Sequence, residues 1–187
     1  MATSVVQVCN QALARLGANL INSLDDASEE ARLCNVSFAH LRDEVLRAHA
    51  WNFATRRAQL ARLAGTPAYG FDYRYKLPSD CLTPLELNSR ESEWVAEGGE
   101  LLCNLEEVYL RYTARVVNPV LFDAQFTTAL VARLAAELAM PLINSNTQAE
   151  MMWSLYQRQI QAAAGTDGLD DNEDYAAAEP NPYVDVR

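Results

Sequence analysis

The spacing of apolar residues changes along this chain, and this change most constrains its fold. Between residues 31 and 48, small or apolar residues recur three or four positions apart, at Ala31, Cys34, Phe38, Leu41, Val45 and Ala48. This spacing places them on one face of a helix. Between residues 69 and 75, aromatic residues stand at every second position, which is typical of a half-buried β-strand. The chain is therefore predicted to be α+β.

Two helices are predicted before the strands. The first covers residues 4–16, where Ser4 and Gln7 have the spacing of a capping box. The second covers residues 27–49 and contains the apolar seam described above, with Asp26 as its N-cap. Its length is about 35 Å at 1.5 Å per residue, long enough for the seam to contact several other elements.

Two more helices are predicted after the strands. The third covers residues 122–140 and is rich in alanine and leucine, with Arg133 and Glu137 on a face apart from its leucines. A proline follows directly and is expected to end it. The fourth covers residues 147–164, and Gly165 is expected to close it.

The middle of the chain, about residues 51–116, is predicted to form a small antiparallel sheet of four or five strands. Strands are expected over 51–63, 69–75 and 108–114. The dipeptide Gly98-Gly99 stands between two apolar runs and supplies the positive φ angles of a tight hairpin turn.

The predicted domain organisation is one domain, residues 1–165, followed by an extended acidic tail, residues 166–187. Within the domain we expect the four helices to pack as a bundle, with the sheet as an inserted lobe. The tail carries seven acidic residues against one arginine, more than half of the net charge of −10. It also contains tyrosines and prolines, which a purely solvated segment does not need.

Composition and charge exclude several classes of protein. A net charge of −10 has the wrong sign for a protein whose main task is to bind nucleic acid. The sequence has no run of 18 or more apolar residues and no basic, apolar leader, so we expect no transmembrane, secretory or lipid-anchored segment. The four cysteines are far apart and form no C-x-x-C pair, so they are expected to be reduced, mostly buried thiols without a metal.

A catalytic or cofactor site is not indicated by any motif. Glycine-rich nucleotide loops and the H-E-x-x-H zinc pattern are missing from the sequence. His40 and His49 fall on the second helix, where surface and helix-end roles are expected. Paired carboxylates capable of cleaving a glycosidic bond remain an alternative. The candidates are Glu44, Glu86, Glu106, Glu107 and Glu137.

A basic and aromatic stretch leaves another alternative open. Trp51, Phe53, Arg56, Arg57 and Arg62 have the composition of a surface that stacks single-stranded nucleic acid. A strand whose aromatic residues enter the core and whose arginines face solvent or a neighbour is the favoured interpretation.

Several short segments, in this order, resemble the head-to-tail adaptor proteins of short-tailed phages, also described as tail tubular protein A or gatekeeper-like connectors. They are residues 14–17 (ARLG), 21–26 (INSLDD), 31–35 (ARLCN), 46–54 (LRAHAWNFA), 73–82 (YRYKLPSDCL), 118–123 (NPVLFD) and 130–139 (LVARLAAELA). The resemblance covers about residues 5 to 165. Ala50 departs from it, because similar proteins often carry proline at that point.

The resemblance implies a structural virion protein without catalytic residues, cofactor or metal. Such adaptors form a ring of twelve subunits beneath the portal protein, continue the DNA channel and receive the tail tube or nozzle. We therefore expect a protein made in the host cytoplasm and located in the neck of the virion, with DNA passing through it unread and no membrane contact. The alternatives are a virion-associated peptidoglycan hydrolase using paired carboxylates, and a helical regulator or nucleic-acid adaptor.

The acidic tail is the expected contact with the portal protein or a neighbouring subunit. Apolar and aromatic residues in it are the candidates for that contact, because they are the ones a binding pocket can desolvate. They are Leu169, Tyr175, Pro180, Pro182, Tyr183 and Val184.

Overall fold

The fold is mixed α+β, as the spacing of apolar residues predicts. A computed structural model of the protein describes residues 4–176, and describes side chains for residues 4–165. Within this part of the chain, the helices are α1 (Val5–Leu16), α2 (Glu29–Ala48), α3 (Ala124–Ile143) and α4 (Asn146–Ala176). The strands are β1 (Thr55–Gln59), β2 (Tyr73–Lys76), β3 (Cys81–Leu87), β4 (Trp94–Glu97), β5 (Glu100–Cys103) and β6 (Tyr109–Ala114). Short 3-10 helices cover Asn52–Ala54 and Pro119–Leu121.

The strands form two antiparallel sheets of three strands each, in the orders β1-β6-β3 and β2-β5-β4. The prediction of one sheet with four or five strands was therefore wrong. A single sheet would leave one face without cover, whereas the two sheets bury apolar side chains against each other. That shared cluster consists of Leu60, Tyr75, Leu87, Leu101, Cys103, Val108, Leu110, Tyr112 and Ala114. The predicted hairpin at Gly98-Gly99 is confirmed, with φ angles of 58° and 79° in the turn between β4 and β5.

Helix α3 lies at the centre of the helical part and contacts α1, α2 and α4. Nine of its residues are buried, among them Phe126, Leu130, Leu134 and Leu138. By length and apolar composition it is the one helix of the described chain that resembles a membrane span. A core helix meets the same criteria, and here the buried positions of α3 pack in one apolar cluster with the other three helices.

An aromatic cluster joins the helices to the sheets. The ring of Trp51, which follows α2, lies 5.3 Å from the ring of Phe126 at the start of α3, and Phe53 lies 5.1 Å from it. Phe122 packs against the same ring at 4.8 Å. The indole nitrogen of Trp51 donates a hydrogen bond to the carbonyl of Val45, 2.9 Å away, so its polar atom is satisfied in the core. The sheets therefore begin at the N-terminal end of α3.

The start of α2 differs from the sequence prediction. The N-cap is Ser28, whose hydroxyl accepts a hydrogen bond from the Ala31 amide. Asp26 instead accepts hydrogen bonds from the amides of Asn22 and Ser23 within the preceding loop. An aspartate satisfies loop amides as well as helix amides, so the sequence alone did not decide between them. The capping box of α1 is confirmed.

Two predicted strands are shorter than expected. The segment 51–63 contributes only Thr55–Gln59 as a continuous strand, because Trp51 enters the helical core and a 3-10 turn follows it. The alternation at 69–75 gives a strand only from Tyr73, and Tyr69 is 88% exposed in the preceding loop. Two of the loop's glycines, Gly65 and Gly70, have positive φ, which an extended strand does not contain.

Both C-terminal helices continue past their predicted ends. Pro141 lies inside α3. The helix ends at Ile143, and its C-cap, Asn144, has the left-handed conformation with φ 48°. Proline so near the end of a helix removes one hydrogen bond without breaking the last turn. Helix α4 passes through Gly165 to Ala176, so the predicted extended tail is helical over its first residues. Glycine in a helix costs only about 1 kcal/mol relative to alanine, which a long helix tolerates.

We expect Phe126→Ala to lower the free energy of unfolding by about 3–5 kcal/mol, because it removes the fully buried ring around which the aromatic cluster packs. Urea denaturation followed by circular dichroism measures the loss. Met140→Ala is the matched control on the same helix, since Met140 is 41% exposed, and its effect should stay within about 0.5 kcal/mol. Equal losses in the two variants would contradict the central position of α3.

Candidate partner-binding surface

Side chains from α2, α3 and α4 meet around Arg133 on the surface of the helical part. The Arg133 guanidinium donates to both carboxylate oxygens of Glu44, with Nε 2.8 Å from Oε1 and Nη2 3.2 Å from Oε2. Its Nη1 donates to Glu137, one helical turn further along α3, at 2.9 Å. The Arg133 side chain is only 14% exposed. One largely covered cation therefore ties α2 to α3 with the two-pronged geometry that arginine forms with carboxylates.

Two aromatic residues of α4 complete this cluster. The guanidinium carbon of Arg133 lies 5.2 Å from the ring centroid of Trp153, within the range of a cation–π contact. Trp153 in turn contacts Tyr156, with ring centroids 5.3 Å apart. Tyr156 is buried, while Trp153 remains 41% exposed. The three helices are thus linked through one guanidinium.

Burial and hydrogen bonding shift the pKa values of Arg133 and Tyr156 in this cluster. Burial by itself lowers the pKa of Arg133, but its hydrogen bonds to Glu44 and Glu137 outweigh this and raise the pKa above the usual value. Burial, followed by the nearby charge of Glu44, raises the pKa of Tyr156. The arginine stays charged and the tyrosine neutral at any physiological pH.

Open clefts flank this cluster. One of about 350 Å³ lies between α3 and α4 and is lined by Ala136, Glu137, Glu150 and Trp153, among others. Another of about 310 Å³ lies between α2 and α3, where Val36, His40 and Glu137 meet. We call this surface the Arg133 face and define it as Val36, Arg133, Glu137, Met140 and Trp153. Three of its five members, the arginine, the methionine and the tryptophan, are residue types enriched at protein–protein contacts, and they lie beside the exposed Val36 and Glu137.

The tail residues predicted to bind a partner fall at the edge of the described chain or beyond it. Leu169 and Tyr175 lie on the backbone of α4, in the part without described side chains. Pro180, Pro182, Tyr183 and Val184 lie outside the described residues. Their role stays a prediction.

Two of the five candidate glutamates are brought together. Glu44 and Glu137 share Arg133, so the space that a sugar and a water molecule need between two catalytic carboxyl groups is filled by its guanidinium. Glu86 instead faces Arg111, 3.2 Å from its Nη2, on the sheet β1-β6-β3. Glu106 accepts a long hydrogen bond of 3.5 Å from the Tyr73 hydroxyl. The side chain of Glu107 is exposed.

The cysteines and histidines lie where the sequence predicted. All four thiols are free, and Cys9, Cys34 and Cys103 are buried. A hydrogen bond with Cys34, together with burial, raises the pKa of Cys9, which suppresses the reactive thiolate. His40 is exposed on α2, and His49 is the C-cap of that helix. Among the described residues, no group of three or more histidines, cysteines or carboxylates is placed to hold a metal ion.

In the basic and aromatic stretch, the aromatic residues and the arginines lie where the favoured interpretation predicts. Trp51 is buried in the helical core, and Phe53 packs against that core. Arg56 pairs with Asp80 at 2.9 Å, and Arg62 lies over the ring of Tyr73 at 4.0 Å. Arg57 is exposed on β1. These rings do not form a continuous stacking platform for bases.

The Arg133 face was only partly visible in the sequence. The sequence placed Arg133 and Glu137 together on a face of α3 apart from its leucines, and in the structure they form an ion pair one helical turn apart. Glu44 lies 89 positions away in the chain, and neither it nor Trp153 follows a pattern that links it to Arg133. Comparison with known proteins does not identify the surface, because no family model matches this chain and no curated protein is significantly similar to it.

We expect Arg133→Met to lower the free energy of unfolding by about 1.5–3 kcal/mol at neutral pH, because it leaves two carboxylates without their shared cation. Urea denaturation at neutral pH measures the loss. Arg32→Met is the control, because its pair with Glu29 is exposed and should contribute under about 1 kcal/mol.

Proposed function

We propose that this protein is a structural adaptor of a phage virion, which forms a ring beneath the portal protein and receives the tail tube or nozzle. The ordered resemblance of residues 14–139 to head-to-tail adaptors leads to this proposal. The observation that carries it is the Arg133 face, an exposed surface on three helices with the residue types that bind other proteins. In this proposal the four helices act as a bundle that forms the body of each subunit.

A ring of identical subunits needs two different surfaces on each subunit, because each one contacts its neighbours head to tail. We assign the Arg133 face to one side of this contact. A stable contact buries about 800 Å² on each partner, which is more than one tryptophan and one methionine provide. The exposed apolar residues Val117, Val120 and Leu121, in the segment before α3, supply another surface of suitable character.

The acidic charge suits a channel through which DNA passes. A net charge of −10 repels phosphates, so DNA would move through the ring without adhering to its wall. In the same proposal the acidic tail contacts the portal protein through Leu169, Tyr175, Pro180, Pro182, Tyr183 and Val184.

We expect Trp153→Ala to weaken assembly of the ring on the portal by roughly 30-fold, the effect of losing about 2 kcal/mol at a contact hot spot. Analytical ultracentrifugation of the protein mixed with portal rings measures the bound fraction. Tyr69→Ala is the matched control, because Tyr69 is an exposed aromatic residue in the loop before β2, away from the Arg133 face. Equal binding by both variants would remove the Arg133 face from the proposed interface.

The tail is tested separately by deleting residues 177–187, which leaves every described residue in place. We expect a folded protein that no longer docks on portal rings, because the deletion removes four of the six proposed contact residues. Circular dichroism checks the fold and electron microscopy counts the occupied rings. Undiminished docking would refute the role of the tail.

The hydrolase alternative is distinguished by a zymogram on peptidoglycan. The adaptor proposal expects no clearing from the wild-type protein. Clearing that disappears in Glu44→Gln or Glu137→Gln would instead establish the paired-carboxylate mechanism and overturn the proposal.

A further inference from the structure

Two arginines stand side by side on the outer face of the sheet β1-β6-β3. Arg57 on β1 is directly opposite Arg111 on β6 in the antiparallel register. Like charges directly opposite each other on a sheet are unfavourable unless something neutralises them. Glu86 on β3 is opposite Arg111 on the other side and pairs with it at 3.2 Å. Within the described chain, this carboxylate is the one partner of the two cations.

Arg111 also has a polar atom without a partner. Its Nε is buried, and no described residue accepts a hydrogen bond from it. A buried N–H without an acceptor costs free energy, and an arginine N–H more so, because it carries part of a positive charge. Arg57 is exposed and forms no ion pair with any residue from 4 to 165. Arg57 therefore offers accessible, unused donors for an acceptor that comes from elsewhere.

The space for such an acceptor is a cleft of about 180 Å³ on this face. It is lined by Arg57, Glu86, Tyr109 and Arg111, together with the backbone on either side. Tyr109 is two positions from Arg111 on β6, so both side chains point to the same face of the sheet, and Tyr109 is 46% exposed. We call this the Arg57–Arg111 cleft. It combines a carboxylate-binding fork with an aromatic surface beside it.

The ligand that fits is a carboxylate next to an aromatic side chain. A phosphate with two negative charges is less suitable, because Glu86 already places one negative charge in the cleft. The net charge of −10 also repels a nucleic acid at longer range. A protein carboxylate carries one charge and is matched by the donors that remain.

The chain itself contains this ligand. Asp185 follows Tyr183 by two positions, and in an extended peptide two such side chains lie on the same side. Tyr109 and Arg111 have the same separation on β6. The acidic residues from Asp167 to Asp174 add negative charge to the same end of the chain.

The direction of α4 carries this segment toward the end of the molecule where the sheets lie. Helices α3 and α4 are joined by two residues, so they run antiparallel. The sheets begin at the N-terminal end of α3, through the contacts of Trp51 and Phe53 with Phe126. The C-terminal end of α4 therefore points to the end of the molecule where the sheets lie. The eleven residues after Ala176 can span up to about 36 Å when extended.

We infer that the C-terminal segment, residues 177–187, docks in the Arg57–Arg111 cleft of its own chain. Asp185 pairs with the exposed guanidinium of Arg57, and Tyr183 packs on Tyr109. This contact does not depend on the adaptor proposal, because it forms in the isolated protein. Where the adaptor proposal also holds, the cleft and the portal compete for one segment.

The test uses the full chain with a nitroxide label at its end. Arg187→Cys carries the label, in a background where the half-buried Cys81 is replaced by serine. Proton NMR of the backbone amides reports which residues the label approaches. We expect broadening of the amides around Arg57 and Arg111, and its loss at high salt, because screening weakens an exposed charge contact.

Variants of the same labelled chain test the residues. Arg57→Gln and Asp185→Asn should each abolish the broadening, and the exchanged pair Arg57→Glu with Asp185→Arg should restore it in part. Arg62→Gln is the matched control, because this arginine lies over Tyr73 on the other sheet and should leave the broadening unchanged. Broadening that survives Arg57→Gln would overturn the inference.

The remaining occupants are separated by two further measurements. Docking on another copy is detected by mixing nitroxide-labelled chains without isotope enrichment with isotope-enriched chains that carry no nitroxide. Broadening seen only in this mixture would refute docking within the chain. Shifts of the same amides on adding a DNA duplex, with no effect of the tail label, would assign the cleft to phosphates instead. Failure of portal docking would leave all these results unchanged.

Discussion

The burial of α3 is the constraint on which the rest of the helical part depends. Its apolar residues cover so much of its circumference that α1, α2 and α4 must surround it. The alanines at 129, 132, 135 and 139 let these neighbours approach closely, while Leu130 and Leu138 fill the remaining space. The outward stripe of α3 is narrow, and Arg133, Glu137 and Met140 lie on it.

That narrow stripe explains why the Arg133 face is both ordered and exposed. The Arg133 side chain is held between α2 and α4. Its guanidinium is hydrogen-bonded to Glu44 on α2 and lies against the ring of Trp153 on α4. Side chains held in this way lose little conformational freedom when a partner binds, which favours recognition. The hydrogen bonds from Arg133 also occupy carboxylate oxygens of Glu44 and Glu137 that a catalytic pair would need free.

The sequence predicted what depends on local spacing and missed what depends on distant contacts. The helical seam and the turn at Gly98-Gly99 follow from period and backbone freedom. The turn is confirmed, and so is the seam from Ala31 to Val45, but its predicted last member, Ala48, is exposed. The division into two sheets could not be predicted, because it depends on which strand pairs with β6. The ends of α3 and α4 were misplaced because Pro141 and Gly165 weaken a helix locally without ending it. Of the Arg133 face, only the local pair was foreseeable.

The two apolar clusters of the protein have no residue in common. The aromatic cluster, hydrogen bonds such as that from Arg47 to the Leu82 carbonyl, and the ion pair of Arg115 with Asp43 at 2.7 Å connect the two parts. Each part thus has an apolar cluster of its own, which favours opening of the sheets while the helices remain folded. We expect hydrogen exchange to divide the amides into a fast population and a slow one.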